Sequence, residues 1–243
     1  MRLTRIHTEE RLGTGKRCLI KGSAANHLVR VLRLGVGADV TLFDGTGGEY
    51  AARIESIKKD SVAVDVGAHA ATERESPLAV SLAQGVSRGE RMDWVVQKAT
   101  ELGVGRIIPL ITARSVVRLD ARQAQRKFQH WKGIAVAACE QCGRNRLPEL
   151  ATPVDLMKFL GSDASDADLR LLLSPRGRMR LSAVNSSRSI ILLIGPEGGL
   201  APQEREAALA RDFVEMRLGP RILRTETAAI AALAALQQAF GDL

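Results

Sequence analysis

The chain has 243 residues, 45% hydrophobic and 26% charged, which is the balance of a globular protein with room for one large domain or two modest ones. No apolar run reaches membrane-span length, the opening M-R-L-T-R-I-H lacks a signal-peptide core, and three cysteines make no disulfide framework, so a cytoplasmic protein without membrane attachment is expected. The formal net charge of +8 is uneven: Lys/Arg against Asp/Glu is 11 to 8 over residues 1–71, 13 to 8 over 72–150 and 11 to 11 over 151–243, so the excess that would favour a phosphate backbone lies in the first 150 residues.

Residues 1–71 read as short strands with one helix. Cys18–Ile20, Val40–Phe43, Glu49–Ile54 and Ser61–Val66 alternate or are β-branched, and Asp44-Gly45 marks a turn between two of them. Ser23–Arg33 reads as a helix capped by Ser23, with Leu28, Val31 and Leu32 on one face. His27, Arg30 and Arg33 fall on another face, and Arg2 and Arg5 lie near the terminus. A small β-barrel bearing four arginines suggests an RNA-binding module; the alternative is a solvated helix face.

The polar stretch A-A-T-E-R-E-S-P, residues 70–77, reads as a linker. From Leu78 strands and helices alternate. Strand Leu78–Ala83 leads through the loop Gln84–Gly89 to a helix over Glu90–Leu102, then to strand Arg106–Leu110 and a long helix over Ala121–Gln141. Strands Leu169–Leu173, Ile190–Ile194 and Phe213–Leu218 follow, the last two each running into a Gly/Pro turn and a helix. This order predicts an α/β fold with a mainly parallel sheet.

The two Gly/Pro turns are the most informative loops. Gly195, Gly198 and Gly199 remove three Cβ atoms from one loop, Pro202 suits the first turn of the next helix, and Gly219-Pro220 repeats the scheme. Either they are ordinary βα connections, or two such loops at neighbouring strand ends line a ligand pocket at the carboxyl edge of the sheet. Neither matches a phosphate-binding or dinucleotide template. Among the polar residues beyond the second turn, Thr225, Glu226 and Thr227 can cap the final helix, whereas Arg224 opposes the helix dipole and is the stronger functional candidate. That helix, to Phe240, is apolar nearly all round and calls for burial in the fold or in a dimer interface.

Cys139 and Cys142 form a C-x-x-C at a helix end, with neither the second pair a zinc site needs nor the helix start a redox motif needs, so packing is expected and no metal. Beyond Gly143, Arg144-Asn145-Arg146 reads as a phosphate clamp.

Together N-H-L-V-R-V-L-R-L, R-G-E-R-M-D-W-V-V-Q-K-A-T-E-L-G-V, A-C-E-Q-C-G-R-N-R-L-P, L-I-G-P-E-G-G-L and L-G-P-R-I-L-R-T-E-T-A resemble the RsmE family, bacterial enzymes that methylate N3 of one uridine in 16S ribosomal RNA of the small subunit. The resemblance implies a PUA-like RNA-binding barrel over 1–71, a linker over 72–77 and a SPOUT methyltransferase domain over 78–243 whose parallel sheet carries a deep trefoil knot. It also implies S-adenosylmethionine as cofactor and a homodimer. The implied cofactor positions are Leu172, Leu173, Gly195, Pro196, Glu197, Gly199, Leu218, Gly219, Pro220, Ile222 and Leu223. Arg224 and Glu226 would serve the chemistry, and Arg2, Arg5, Arg30, Arg33, Arg144 and Arg146 the RNA. A non-catalytic RNA-binding assembly factor and a SPOUT enzyme for another nucleotide are the alternatives.

Overall fold

The structure, a computed structural model, describes residues 4–115, 119–162, 167–184 and 187–243. It divides into two compact units, one running to Glu75 and taking in Cys139–Leu147, the other formed by Ser76–Ala138 and Pro148–Leu243.

The first unit is a five-stranded mixed sheet. Strands β1 (Thr4–His7), β2 (Arg17–Lys21), β3 (Asp39–Phe43), β4 (Glu49–Lys58) and β5 (Ser61–Ala70) lie in the order β1-β3-β4-β5-β2, with only β1 and β3 parallel. In β2, Cys18 and Ile20 are buried between exposed neighbours, the period of two that a half-buried strand needs. Two register shifts between β4 and β5 bend this long pair. Strand β1 was not legible in the sequence, because T-R-I-H offers one apolar residue to the core.

The expected helix over Ser23–Arg33 is corrected. Helix α1 spans only Gly22–Asn26 and passes into a π-helical turn, His27–Val31. Ser23 caps nothing; the extended residue before the helix is Lys21. The wider turn breaks the 3.6-residue period, so Leu28 is fully buried while Val31 is 66% exposed. Of Leu28, Val31 and Leu32, only Leu28 is buried, so the three do not form one buried face.

The second unit is a seven-stranded sheet with every pairing parallel. Strands β6 (Ala79–Gly85), β7 (Arg106–Ile111), β8 (Glu149–Leu150), β10 (Leu169–Leu173), β11 (Ser189–Ile194) and β12 (Val214–Met216) run in the order β12-β10-β11-β6-β7-β8, and β9 (Val154–Asp155) also pairs with β7. The apolar runs of β10 and β11 divide by parity. Leu171, Ile190, Leu192 and Ile194 enter a core shared with α2 (Arg91–Glu101), α3 (Ala121–Cys142) and α6 (Thr225–Phe240). Leu172, Ile191 and Leu193 face α4 (Leu156–Gly161) and α5 (Pro202–Leu209) on the other side. A sheet covered on both faces explains runs that show no polar alternation.

Helix α6 buries Ala229, Ala232, Leu233 and Leu236 completely, the two leucines contributing roughly 1.5–3 kcal/mol each. Its polar break, Gln237, is buried and satisfied: its amide donates to the Leu102 carbonyl and accepts from Ser76 Oγ. No helix among the described residues is long and apolar enough to cross a membrane.

Candidate active site

Strands β12, β10 and β11 are neighbours, so their carboxyl ends deliver three loops, 174–177, 195–200 and 217–224, to one edge of the sheet. These loops enclose a cleft of about 940 Å³. Leu172, Leu173, Ile194, Leu218 and Leu223 supply apolar walls, and charged side chains ring the rest. Of the positions the sequence proposed for a cofactor, all but Pro220 line the cleft, and Arg224 and Glu226 line it too. Pro220 stands in the adjoining loop.

The protein's own packing dictates the shape of the 195–200 loop. Gly199 has φ of 67° and donates to the Pro196 carbonyl, closing a tight turn that a side chain would strain. Gly85, at the end of β6, passes so close that a Cβ there would sit 2.4 Å from Pro196 N. A Cβ on Gly195 or Gly198 would press on Leu200 N or Arg114 Cβ at 3.1 Å, so close packing of the chain on itself also calls for glycine at these two positions.

A buried polar relay ties this loop to the start of α6. Gln84 Nε2 donates to Thr225 Oγ1 at 2.9 Å, and Thr225 Oγ1 donates to the Gly195 carbonyl at 2.7 Å. Gln84 is fully buried and Thr225 is 7% exposed. Thr225 does not cap its helix; the residue ahead of the first turn is Arg224, which is extended and caps with no side-chain bond. The Arg224 guanidinium is exposed and makes no ion pair with a described residue.

Arg91 links the 195–200 loop to the first turn of α6. Its Nη1 lies 2.6 Å from Glu197 Oε1 and its Nε 3.8 Å from Glu226 Oε1. Burial opposes ionisation of Glu197, but backbone N–H groups of Glu197 and Arg88 and the Arg91 guanidinium outweigh it and hold the carboxyl below its ordinary value. Glu226 Oε2 is buried with no hydrogen-bond partner among the described residues, a lone acceptor beside the cleft. Elsewhere on the rim, Arg114 donates to the Gly198 carbonyl, and Arg205 Nε holds Glu215 at 2.7 Å. A second, shallower groove of about 740 Å³ shares Arg91 and Glu226 and continues over Ile230, Ala231, Ala234 and Trp94. Trp94, on α2, is 59% exposed there, and Ile230, Ala231 and Ala234 of α6 are half-buried beside it.

The RNA candidates of the first unit divide. Arg30 and Arg33 are exposed, without ion pairs to described residues, and Arg2 lies outside the described residues. Arg5 and Arg144 are corrected. The Arg5 guanidinium is buried, bonded to Glu49 and Asn145 and stacked over Phe43. Arg144 is 3% exposed, and its Nε donates to Glu75 at 3.0 Å with a second bond from Nη2. Both forks are occupied inside the protein, so the 144–146 clamp is reduced to the half-exposed Arg146, itself 3.3 Å from Glu73. The acids of the supposed linker hold these arginines: Glu73 and Glu75 make the pairs just described, and Thr72 accepts from Asn145. Cys139 is a buried packing thiol, donating to the Arg146 carbonyl and pushed up to about 12 by burial. No group of residues suited to a metal ion occurs among the described residues.

Sequence reasoning missed Gln84, Arg91 and the 174–177 loop. The signal for the first was a lone amide ending an apolar strand; Arg91 carried none, since its partners lie over a hundred residues away.

Residues 74–237 match the RNA methyltransferase domain family, and residues 20–67 the RNA methyltransferase PUA domain. The ribosomal RNA small subunit methyltransferase E of Bacillus subtilis is 36% identical over 226 residues, spanning 89% of this chain and 88% of that protein. The chain belongs to the RsmE family. Among solved structures similar to this RsmE-family chain, the Neisseria gonorrhoeae ribosomal RNA small subunit methyltransferase E bound to S-adenosylmethionine superposes with a TM-score of 0.94 at 36% identity, covering 99% of each chain. A Legionella pneumophila protein solved in complex with S-adenosylmethionine gives a TM-score of 0.96 at 41% identity, covering both chains fully. The mixed sheet is accordingly a PUA domain and the parallel sheet an RNA methyltransferase domain.

Proposed function

We propose that this chain is an S-adenosylmethionine-dependent methyltransferase acting on N3 of one uridine in 16S ribosomal RNA of the small subunit. The observation that carries the reading is the cleft: a hollow with apolar walls and a charged rim at the carboxyl edge of a parallel sheet, flanked by Arg224 and by Glu226 Oε2, which has no partner among the described residues. Its size suits a nucleoside-sized ligand. A lone buried carboxylate oxygen suits a neighbour that is cationic or donates a proton, which favours a sulfonium cofactor and a uracil N3–H over a phosphate-bearing ligand.

When bound, the cofactor supplies an electrophilic methyl group. The chain's part is to orient, to shield and to manage one proton. The relay Gln84–Thr225–Gly195 fixes the two walls of the cleft relative to each other. Arg224 faces the negative charge that spreads to uracil O2 and O4 as N3 loses its proton, a preorganised electrostatic role. Glu226 Oε2 accepts that proton, and Arg91 holds the carboxylate in place. Because N3 lies on the pairing edge, the uridine must be presented unpaired.

The same reading makes the PUA domain the carrier of RNA contacts through Arg2, Arg30, Arg33 and Arg146, and the stretch 72–77 the divide between RNA-holding and catalytic parts. It includes the trefoil knot, supported by the position of β12 beyond β10 and by the return of α6 to Gly195. It includes a homodimer over the apolar flank at Trp94, Ile230 and Ala234, and a cytoplasmic location with the ribosome. Mapping modified nucleosides in small-subunit ribosomal RNA from cells with and without the protein tests the assignment. Loss of one N3-methyluridine is expected; an unchanged map would reject it.

A further inference from the structure

The C-terminal third of the chain has no net charge, yet its charges are segregated. No Asp or Glu occurs between Asp168 and Glu197, or between Glu215 and Glu226, while those two stretches hold eight arginines. The fold lays the two stretches side by side: Arg217 N donates to the Met179 carbonyl at 3.0 Å, and Met179 bridges Met216. A Cβ on Gly177 would lie 2.6 Å from the Met216 backbone, so the strands of chain touch without an intervening side chain. Arg176, Arg178 and Arg180 thereby stand on one segment and Arg217 and Arg221 on its neighbour, and three of the five line the cleft mouth.

Like Arg224, these five differ from the paired arginines of the rim. Arg91, Arg114 and Arg205 are spent on Glu197, the Gly198 carbonyl and Glu215. The five form no ion pair with any described residue, and all but Arg217 are exposed. Arg176 feels the charge of Glu215, but guanidinium groups gathered along two adjacent segments without ion-pair partners repel one another, and a polyanion sharing the surface relieves that repulsion. We infer that Arg176, Arg178, Arg180, Arg217 and Arg221 form a phosphate-binding rim on the methyltransferase domain, which grips the RNA backbone flanking the target base. The inference rests on the RNA methyltransferase reading above. Phosphate contacts position a nucleic acid without reading sequence, and guanidinium forks suit them. Catalytic unit and PUA domain would then hold the RNA together, contrary to what the net charge along the chain suggests.

The test uses the full chain, with R176Q/R178Q/R180Q and R217Q/R221Q variants and the matching Lys variants. Binding of protein-free small-subunit ribosomal RNA is titrated at several salt concentrations, S-adenosylmethionine binding is followed by calorimetry, and thermal melting checks the fold. The Gln variants should lose at least about tenfold in RNA affinity, with the log–log salt slope falling by about 0.7 per arginine, while cofactor affinity stays within about twofold of wild type and Lys variants keep the slope. RNA affinity and slope equal to wild type would overturn the rim. So would lost cofactor binding with RNA binding intact, which would assign these arginines to the cofactor's carboxylate. Methyl transfer by the wild-type protein, measured alongside, tests the parent reading separately.

Discussion

Replacing Thr225 by Val keeps the shape of the residue and removes one hydroxyl. That hydroxyl accepts from Gln84 Nε2 at 2.9 Å and donates to the Gly195 carbonyl at 2.7 Å, in a site 7% exposed. Gln84 retains its second acceptor, the Gly85 carbonyl at 3.0 Å, so the larger loss falls on Gly195. A buried polar group left without a partner costs about 1–3 kcal/mol, and with Gln84 partly compensated the sum is about 2 kcal/mol. For a chain of this size that corresponds to a melting temperature lower by roughly 4–8 °C. Because Gly195 opens the loop proposed to hold the cofactor, S-adenosylmethionine affinity should fall by about tenfold, the equivalent of 1.4 kcal/mol. Thermal melting and calorimetry on Thr225→Val, with Thr225→Ser as the hydroxyl-keeping control, measure both. A Val variant that melts and binds like wild type would refute the relay, as would a Ser variant as impaired as Val.

Other predictions follow from contacts of different kinds. Gly85→Ala places a Cβ against Pro196 backbone and should displace the 195–200 loop, cutting cofactor affinity by more than tenfold on the proposed reading, which the same calorimetry measures. Glu75→Gln withdraws a carboxylate from a guanidinium that is 3% exposed and should cost about 3–5 kcal/mol in urea unfolding. The Glu197 carboxyl is lowered from its ordinary 4.5, so the stability it contributes is present above pH 4.5 and is lost as pH falls through the lowered value. Melting temperature followed from pH 7 down to 3 should therefore drop less steeply below pH 4.5 in Glu197→Gln than in wild type, and parallel curves would count against the pairing.

The parts of the fold legible in the sequence are those governed by local pattern. The parallel sheet could be read because β10 and β11 are unbroken apolar runs between Gly/Pro turns, and α6 because its start and end both carry clear composition changes. The cleft could be placed because its loops follow those strands directly. What escaped depends on distant pairing. Arg5 and Arg144 look like solvent-facing cations until Glu49, Asn145 and Glu75 close around them from 44, 140 and 69 residues away. The helix after β2 was misjudged because one extra residue per turn, set by packing beneath Leu28, leaves no mark on local propensity. The rim arginines were hidden by balance: acids elsewhere in the third cancel them in a sum but not in space.

The cleft of Arg224 and Glu226 is proposed to transfer a methyl group to uridine N3. Purified protein with methyl-labelled S-adenosylmethionine and small-subunit ribosomal RNA, followed by nucleoside mass analysis, measures it directly. Label in N3-methyluridine is expected for the wild type, with loss of that label in Arg224→Ala while cofactor binding persists. Label at another position, or full transfer by Arg224→Ala, would contradict it.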